Sequence, residues 1–152
     1  MGRKILIMGL PGAGKTSLAK ALVPRLNAVH FNADEVRRNL NKDLGFSESD
    51  RVEQAWRMGW LCDQVVKTGG IVVADFICPT EACRDAFNKG GGAFIVWVDR
   101  IKSCPFEDTN SMFLPPTDFH VRVTPEETLE YWVDEILRQV RSSFDPTKPT
   151  AL

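Results

Sequence analysis

The chain has 152 residues, a length that suits one domain built around one hydrophobic core. Apolar residues make up 43% and charged residues 26%, an ordinary globular balance. With 19 basic residues against 20 acidic the net charge is -1, which argues against a large basic surface for nucleic acid or membrane, and no apolar run approaches the ~20 residues that cross a bilayer.

In chain order, "KILIMG" (4–9) is the first strand-like run, entered directly from "MGRK", so no signal peptide is expected. A glycine-rich loop leads into the amphipathic "KTSLAKALVPRL". "AVHFN" (28–32) is the second strand. A short helix carrying Asp34 and Arg37 follows it. The long helix "ESDRVEQAWRMGWLCDQVVKTGG" has Ser47 and Asp50 as its capping pair. Its predicted buried face holds Val52, Ala55, Trp56, Gly59, Cys62, Val65 and Val66, and Gly69-Gly70 ends it.

"IVVADF" (71–76) is the third strand, "PTEACRDAFNKGGG" a short helix, "AFIVWV" (93–98) the fourth strand and "FHVRV" (119–123) the fifth. The last helix is expected to start at "TPEE", with Thr124 as N-cap, Pro125 in the first turn and Glu127 three residues on. Its apolar stripe is Leu129, Trp132, Val133, Ile136, Leu137 and Val140. The central strands are nearly continuous apolar runs, which fits a parallel sheet covered on both faces. Strands alternating with helices define an α/β domain whose ligands collect at the carboxyl ends of the strands.

Cys62, Cys78, Cys83 and Cys104 include no C-x-x-C pair and no accompanying histidine cluster, so zinc is not expected. They read as reduced thiols of a cytoplasmic protein.

"GLPGAGKT" (9–16) fits G-x-x-x-x-G-K-[ST] in full, between a strand and an amphipathic helix. Gly9, Gly12 and Gly14 let backbone N–H groups curl around an anion, and the helix N-terminus adds positive potential. Lys15 is expected to reach the β/γ-phosphates and Thr16 to ligate Mg²⁺, with Ala13 and Ser17 completing the nucleotide contacts. The expected fold is therefore α/β: a three-layer αβα P-loop NTPase fold with a five-stranded, mainly parallel sheet. One kinase domain would span 1–143, and 144–152 would form a flexible tail. "NKDL" (41–44) does not supply the guanine-reading N-K-x-D of GTPases, because Leu44 stands where the aspartate is needed and the segment follows the second strand. A GTPase is therefore not expected; the donor is read as ATP with Mg²⁺, and GTP in its place stays open.

Asp34 and Arg37, one turn apart, place a carboxylate and an anion-binding fork beside the loop. Asp75 ends the third strand, where a carboxylate in many P-loop proteins holds a Mg²⁺-bound water. With "GLPGAGKT", "NADEVR", "LGFSESDRVEQ" and "FICP", residues 5–85 resemble adenylyl-sulfate kinase, which phosphorylates the 3′-hydroxyl of adenosine 5′-phosphosulfate. That family shows a P-loop, D-G-D-N-x-R, L-G-F-S-x-x-D-R-x-E-N and F-I-S-P. The resemblance implies that Asp34 serves Mg²⁺ and acceptor-hydroxyl chemistry. It makes Arg37 and Arg51 acceptor-binding arginines and Phe46 the aromatic stacked on the acceptor base. Ile77, Cys78 and Pro79 would line the acceptor pocket, and Phe106 would be a second stacking aromatic.

The chain departs from the family pattern at Asn32, where the first aspartate is expected, at Ala33 for the glycine, and at Gln54 for an asparagine. It also lacks the family's basic lid segment after the fourth strand, which should leave the site more open. Lys15, Asp34 and Asp75 are thus the expected catalytic residues and Thr16 and Asp75 the metal site, with Asp75 offsetting the carboxylate missing at Asn32. The expected partner is a small nucleotide-like anion. A nucleotide conjugate or a hydroxymethylated base in DNA as acceptor stays open, as do a non-catalytic nucleotide-binding module and a homodimer.

Overall fold

The computed structural model describes residues 2–143, so the expected tail at 144–152 lies outside the described residues. Five strands, β1 (Arg3–Met8), β2 (Val29–Asn32), β3 (Ile71–Asp75), β4 (Ala93–Val98) and β5 (Val121–Val123), form one parallel sheet in the order β2-β3-β1-β4-β5. Among the described residues six helices accompany them: α1 (Lys15–Leu26), α2 (Ala33–Asn39), α3 (Glu48–Lys67), α4 (Glu81–Phe87), α5 (Glu107–Met112) and α6 (Leu129–Ser143).

Alternation along the strands divides the core into two layers. Ile5 and Ile7 of β1 point to the face covered by Leu18 and Leu22 of α1 and Ile136, Leu137 and Val140 of α6. Leu6 and Met8 point to the other face, against Ala55, Met58 and Cys62 of α3 and Cys83 and Phe87 of α4. This is the expected three-layer arrangement. The loop leaving β1 leads to α1 on one face, while the loop leaving the adjacent β3 leads to α4 on the other. Neighbouring strands whose chains depart in opposite directions open a crevice at their carboxyl ends.

Two local expectations are corrected. The buried face of α3 is rotated toward its polar side: Trp56 is exposed, while Arg51, Gln54 and Met58 are buried with Ala55, Gly59 and Cys62. The polar side chains can enter because each has a partner, as the site below shows. The last helix starts at Leu129, five residues after Thr124. Thr128 accepts the Tyr131 N–H at 3.1 Å and so acts as the cap, while Trp132 Nε1 donates to the Thr124 carbonyl at 3.1 Å and holds residues 124–128 in a turn. The Ser47 cap on α3 is as expected, accepting from the Asp50 N–H at 3.1 Å.

Candidate functional site

The glycine-rich loop connects β1 to α1. Gly9 has φ +152, and a Cβ on it would come within 2.5 Å of the Val98 carbonyl oxygen, so the loop's first turn has no room for a side chain. Gly14 caps α1 in the left-handed conformation, with φ +101, where glycine carries no penalty. Ala13 is buried beneath the loop and Ser17 is exposed on the first turn of α1. Lys15 is buried, and its ammonium donates to the Leu10 carbonyl at 2.8 Å. Burial lowers its pKa to about 8, against the opposing pull of Asp75, Asp34 and Cys104.

Thr16 and Asp75 meet at the strand ends. The Thr16 hydroxyl donates to Asp75 Oδ1 at 3.0 Å. Asn32 Nδ2 donates to the same oxygen at 3.1 Å, and the Asn32 Oδ1 caps α2 by accepting the Glu35 N–H at 3.2 Å. His30 Nε2 contacts the other carboxylate oxygen, Asp75 Oδ2. The sheet register explains this convergence, because Asn32 is paired with Asp75 across β2 and β3 and Asp75 with Ile7 across β3 and β1. His30 was not singled out from sequence. Its only signal is its place two residues before Asn32, on the same side of β2.

On the opposite wall, Arg37 donates to the Gly45 carbonyl at 2.5 Å and its guanidinium lies 4.4 Å from the Phe46 ring centre. Arg51 is buried: Nε donates to the Phe46 carbonyl at 2.8 Å and Nη2 to the Thr109 hydroxyl at 3.1 Å, with Asp108 at 3.8 Å. Gln54, also buried, accepts from Asn41 at 2.7 Å and donates to the Ala33 carbonyl at 3.3 Å, which ties α3 to the first turn of α2 beside Asp34. Cys78 has φ 48, an uncommon left-handed value for a side-chain-bearing residue, and Arg84 donates to its carbonyl at 3.0 Å. Its thiol is fully buried, and burial pushes its pKa well above the usual range, so it is a wall group rather than a nucleophile.

One cleft of about 530 Å³ gathers these groups. Lys15, Thr16, Asn32 and Asp75 line it on one side and Arg37, Phe46, Arg51 and Phe106 on the other, with Ile77, Cys78 and Pro79 between and Asp34 facing it. Phe46 and Phe106, 61% and 57% exposed, line it, with the Arg37 guanidinium over the Phe46 ring. The connection from β4 to β5 reaches this cleft through α5. It is anchored there by the Arg51–Thr109 hydrogen bond and by the Leu114 N–H on the Pro79 carbonyl at 2.8 Å. Its interior is held by Asn110, which bonds both the N–H and the carbonyl of Cys104, at 2.8 and 2.7 Å.

The oxygen pair of Thr16 and Asp75 suits a hard cation such as Mg²⁺, which binds few protein ligands and takes the remainder from phosphate and water. Among the described residues no group of three or more His, Cys, Asp or Glu converges. The described helices include none long and apolar enough to cross a membrane.

A family model described as adenylylsulphate kinase matches residues 1–113. The adenylyl-sulfate kinase of Synechococcus sp. (strain JA-3-3Ab) is 34% identical over 123 residues, covering 74% of this chain and 70% of that protein. A probable adenylyl-sulfate kinase of Pseudomonas aeruginosa is 31% identical over 166 residues, covering 91% and 77%. In fold, the chain superposes on the Mycobacterium tuberculosis APS kinase in complex with AMPPNP and APS with a TM-score of 0.82, over 92% of this chain and 98% of that one, at 24% identity.

Proposed function

The chain belongs to the adenylylsulphate kinase family, and from that membership we propose that it transfers the γ-phosphoryl group of ATP to the 3′-hydroxyl of adenylyl sulfate. The observation that carries this reading is the single cleft in which the P-loop's Lys15 and Thr16 face Arg37, Phe46 and Arg51. A triphosphate-binding loop and an aromatic–arginine wall then hold donor and acceptor on one line.

Phosphoryl transfer needs little covalent help from protein, so catalysis here is positioning and charge stabilisation. The loop amides around Gly9, Gly12 and Gly14 cradle the β-phosphate, and Ala13 and Ser17 border the donor. Lys15 leaves the Leu10 carbonyl to neutralise the β/γ-oxygens. A polyanion there opposes the burial that lowers its pKa and so favours the charged ammonium. Thr16 would hold Mg²⁺ directly and Asp75 would orient that hydroxyl. The bound ion supplies charge neutralisation at the transferring group. Asp34 accepts the acceptor hydroxyl's hydrogen bond. Arg37 and Arg51 hold the anionic group, Phe46 and Phe106 receive the base, and Ile77, Cys78 and Pro79 form the floor. The reduced state of Cys62, Cys78, Cys83 and Cys104, all free, supports a cytoplasmic setting.

The test is an acceptor panel with γ-labelled ATP: adenylyl sulfate, free nucleotides, nucleotide conjugates and hydroxymethylated DNA. Label appearing on the 3′-position of adenylyl sulfate is the expected result. Label on another acceptor, or on none while nucleotide still binds, overturns the assignment.

A further inference from the structure

Asp75 is 1% exposed, yet it is held from three directions at once. Thr16 and Asn32 donate to Oδ1, at 3.0 and 3.1 Å, and His30 takes Oδ2. Asn32 cannot turn away, because its own oxygen caps α2. Its amide nitrogen is therefore committed to the carboxylate. An aspartate at position 32 would keep the cap and present a second carboxylate oxygen to Asp75 Oδ1 at about the present 3.1 Å. Asp75 Oδ1 would then face an acceptor oxygen where it now receives an N–H. One rung of the sheet, Asn32 opposite Asp75, thus pairs one carboxylate with one amide, and this chain places the carboxylate on β3.

That placement creates a need met by His30. A carboxylate at the end of β3 can swing about its side-chain bond, and only one of its oxygens should face Thr16. His30, two residues before Asn32 and half-buried, occupies the other oxygen.

We propose that His30 and Asn32 are positioning residues for the P-loop metal site: the single carboxylate of the Asn32–Asp75 rung is held on β3, and His30 fixes its rotation so that Oδ1 serves Thr16. The proposal rests on the Mg²⁺–nucleotide half of the function above and not on the identity of the acceptor. Its experiment therefore uses AMPPNP binding without turnover, by titration calorimetry at a series of Mg²⁺ concentrations, with thermal unfolding as a fold control.

Outer partners of metal ligands typically change metal affinity by about 10–100-fold. Asp75→Asn should raise the Mg²⁺ concentration at half-maximal nucleotide binding by that order. Asn32→Asp alone should not improve on the natural chain. The exchange Asn32→Asp/Asp75→Asn returns one carboxylate and one amide to the same rung, and should recover binding to within about threefold of the natural chain. His30→Ala should weaken the Mg²⁺ dependence by about tenfold in the natural chain and have no further effect in the exchanged one, where residue 75 no longer needs its rotation set. His30→Leu replaces it in both backgrounds if the alanine variant does not fold. An exchanged chain binding no better than Asp75→Asn overturns the shared-rung argument. A His30 effect equal in the two backgrounds overturns the positioning role and leaves a merely structural histidine. Absence of label transfer to adenylyl sulfate would defeat the acceptor assignment and leave this one standing.

Discussion

Gly59 lies at the crossing of α3 and α4, and replacing it with alanine sets two known effects against each other. In an exposed helix interior the change should stabilise by about 1 kcal/mol through helix propensity. Here a Cβ would stand 2.2 Å from the Phe87 carbonyl oxygen and 2.9 Å from its carbonyl carbon and Cα. The shortfall from an ordinary contact, which begins at 3.4 Å, is about 1.2 Å, and the atoms in the way are backbone, which cannot rotate aside. Separating the helices by that distance loosens Met58, Cys62, Cys83 and Phe87, which share one buried cluster. Overpacking of this kind costs about 1–3 kcal/mol and loosening adds to it, so Gly59→Ala should destabilise by about 1–3 kcal/mol after the propensity gain is subtracted. At roughly 2–4 °C per kcal/mol for a domain of this size, Tm should fall by about 2–12 °C. Urea unfolding at constant m-value together with a thermal melt measures it. Because α3 also carries Arg51 and α4 follows the Ile77–Pro79 floor, KM for the acceptor should rise more than kcat falls. An equally or more stable Gly59→Ala protein would refute the steric argument.

Lys15→Met should lower transfer by about 10²–10³-fold or more while Tm holds or rises, since a buried ammonium whose pKa is depressed by desolvation is replaced by an apolar chain of similar reach; a clear drop in Tm would show the lysine to be a stabilising group. Thr109→Val keeps shape but leaves a buried Arg51 N–H without its acceptor, so stability should fall by about 1–3 kcal/mol in urea unfolding, and unchanged stability would mean that the Arg51–Thr109 bond does not anchor α5. His120 accepts the Ile95 N–H through Nδ1 at 3.0 Å, and burial, then Arg3, lowers its pKa below 6.5. The folded state thus binds this proton less readily than the unfolded chain. Its contribution is complete above the ordinary histidine pKa and shrinks as pH falls below 6.5 toward the lowered folded value. The unfolding free energy should therefore drop between pH 7.5 and 5.5 more steeply in the natural chain than in His120→Asn, and equal slopes would remove histidine as the cause.

The parts of the site that were legible in the sequence are those written in contiguous residues. "GLPGAGKT" announces its own geometry, because loop, lysine, hydroxyl and helix start are neighbours in the chain. The strands could be read from their apolar runs, and the buried stripe of α6 from its 3.6-residue period. What was hidden depends on register and on partners distant in sequence. His30 touches Asp75 only because β2 and β3 pair Asn32 with Asp75, and nothing in "AVHFN" marks that rung. The α3 face was misjudged because Arg51 and Gln54 count as polar in a hydrophobic pattern, yet they are buried against Thr109, Phe46, Asn41 and Ala33, whose positions the pattern does not contain. The α6 cap was misplaced for a related reason. "TPEE" satisfies the local rules for a helix start, but Trp132 reaches back to the Thr124 carbonyl and favours a turn there.

The β4–β5 connection has a different task from a lid that closes over the triphosphate. Neither of its early basic residues lines the cleft: Arg100 lies outside its walls, and Lys102 is 87% exposed, 3.9 Å from Asp99. On the proposed function, positive charge on the donor therefore falls to Lys15 and the loop amides, with Thr16 holding the metal and Asp75 orienting its hydroxyl. What the connection does touch is the acceptor wall, through Thr109 on Arg51 and Leu114 on Pro79, with Phe106 and Asp108 facing the cleft. Asp108 lies 3.8 Å from Arg51 and, on the proposed function, would give way when an acceptor anion approaches that guanidinium. An acceptor without such an anion gains nothing to offset the contacts it disturbs. On the proposed function, the segment links acceptor recognition to the geometry of the cleft, and discrimination among acceptors would rest on α5 and Arg51 rather than on closure over the nucleotide.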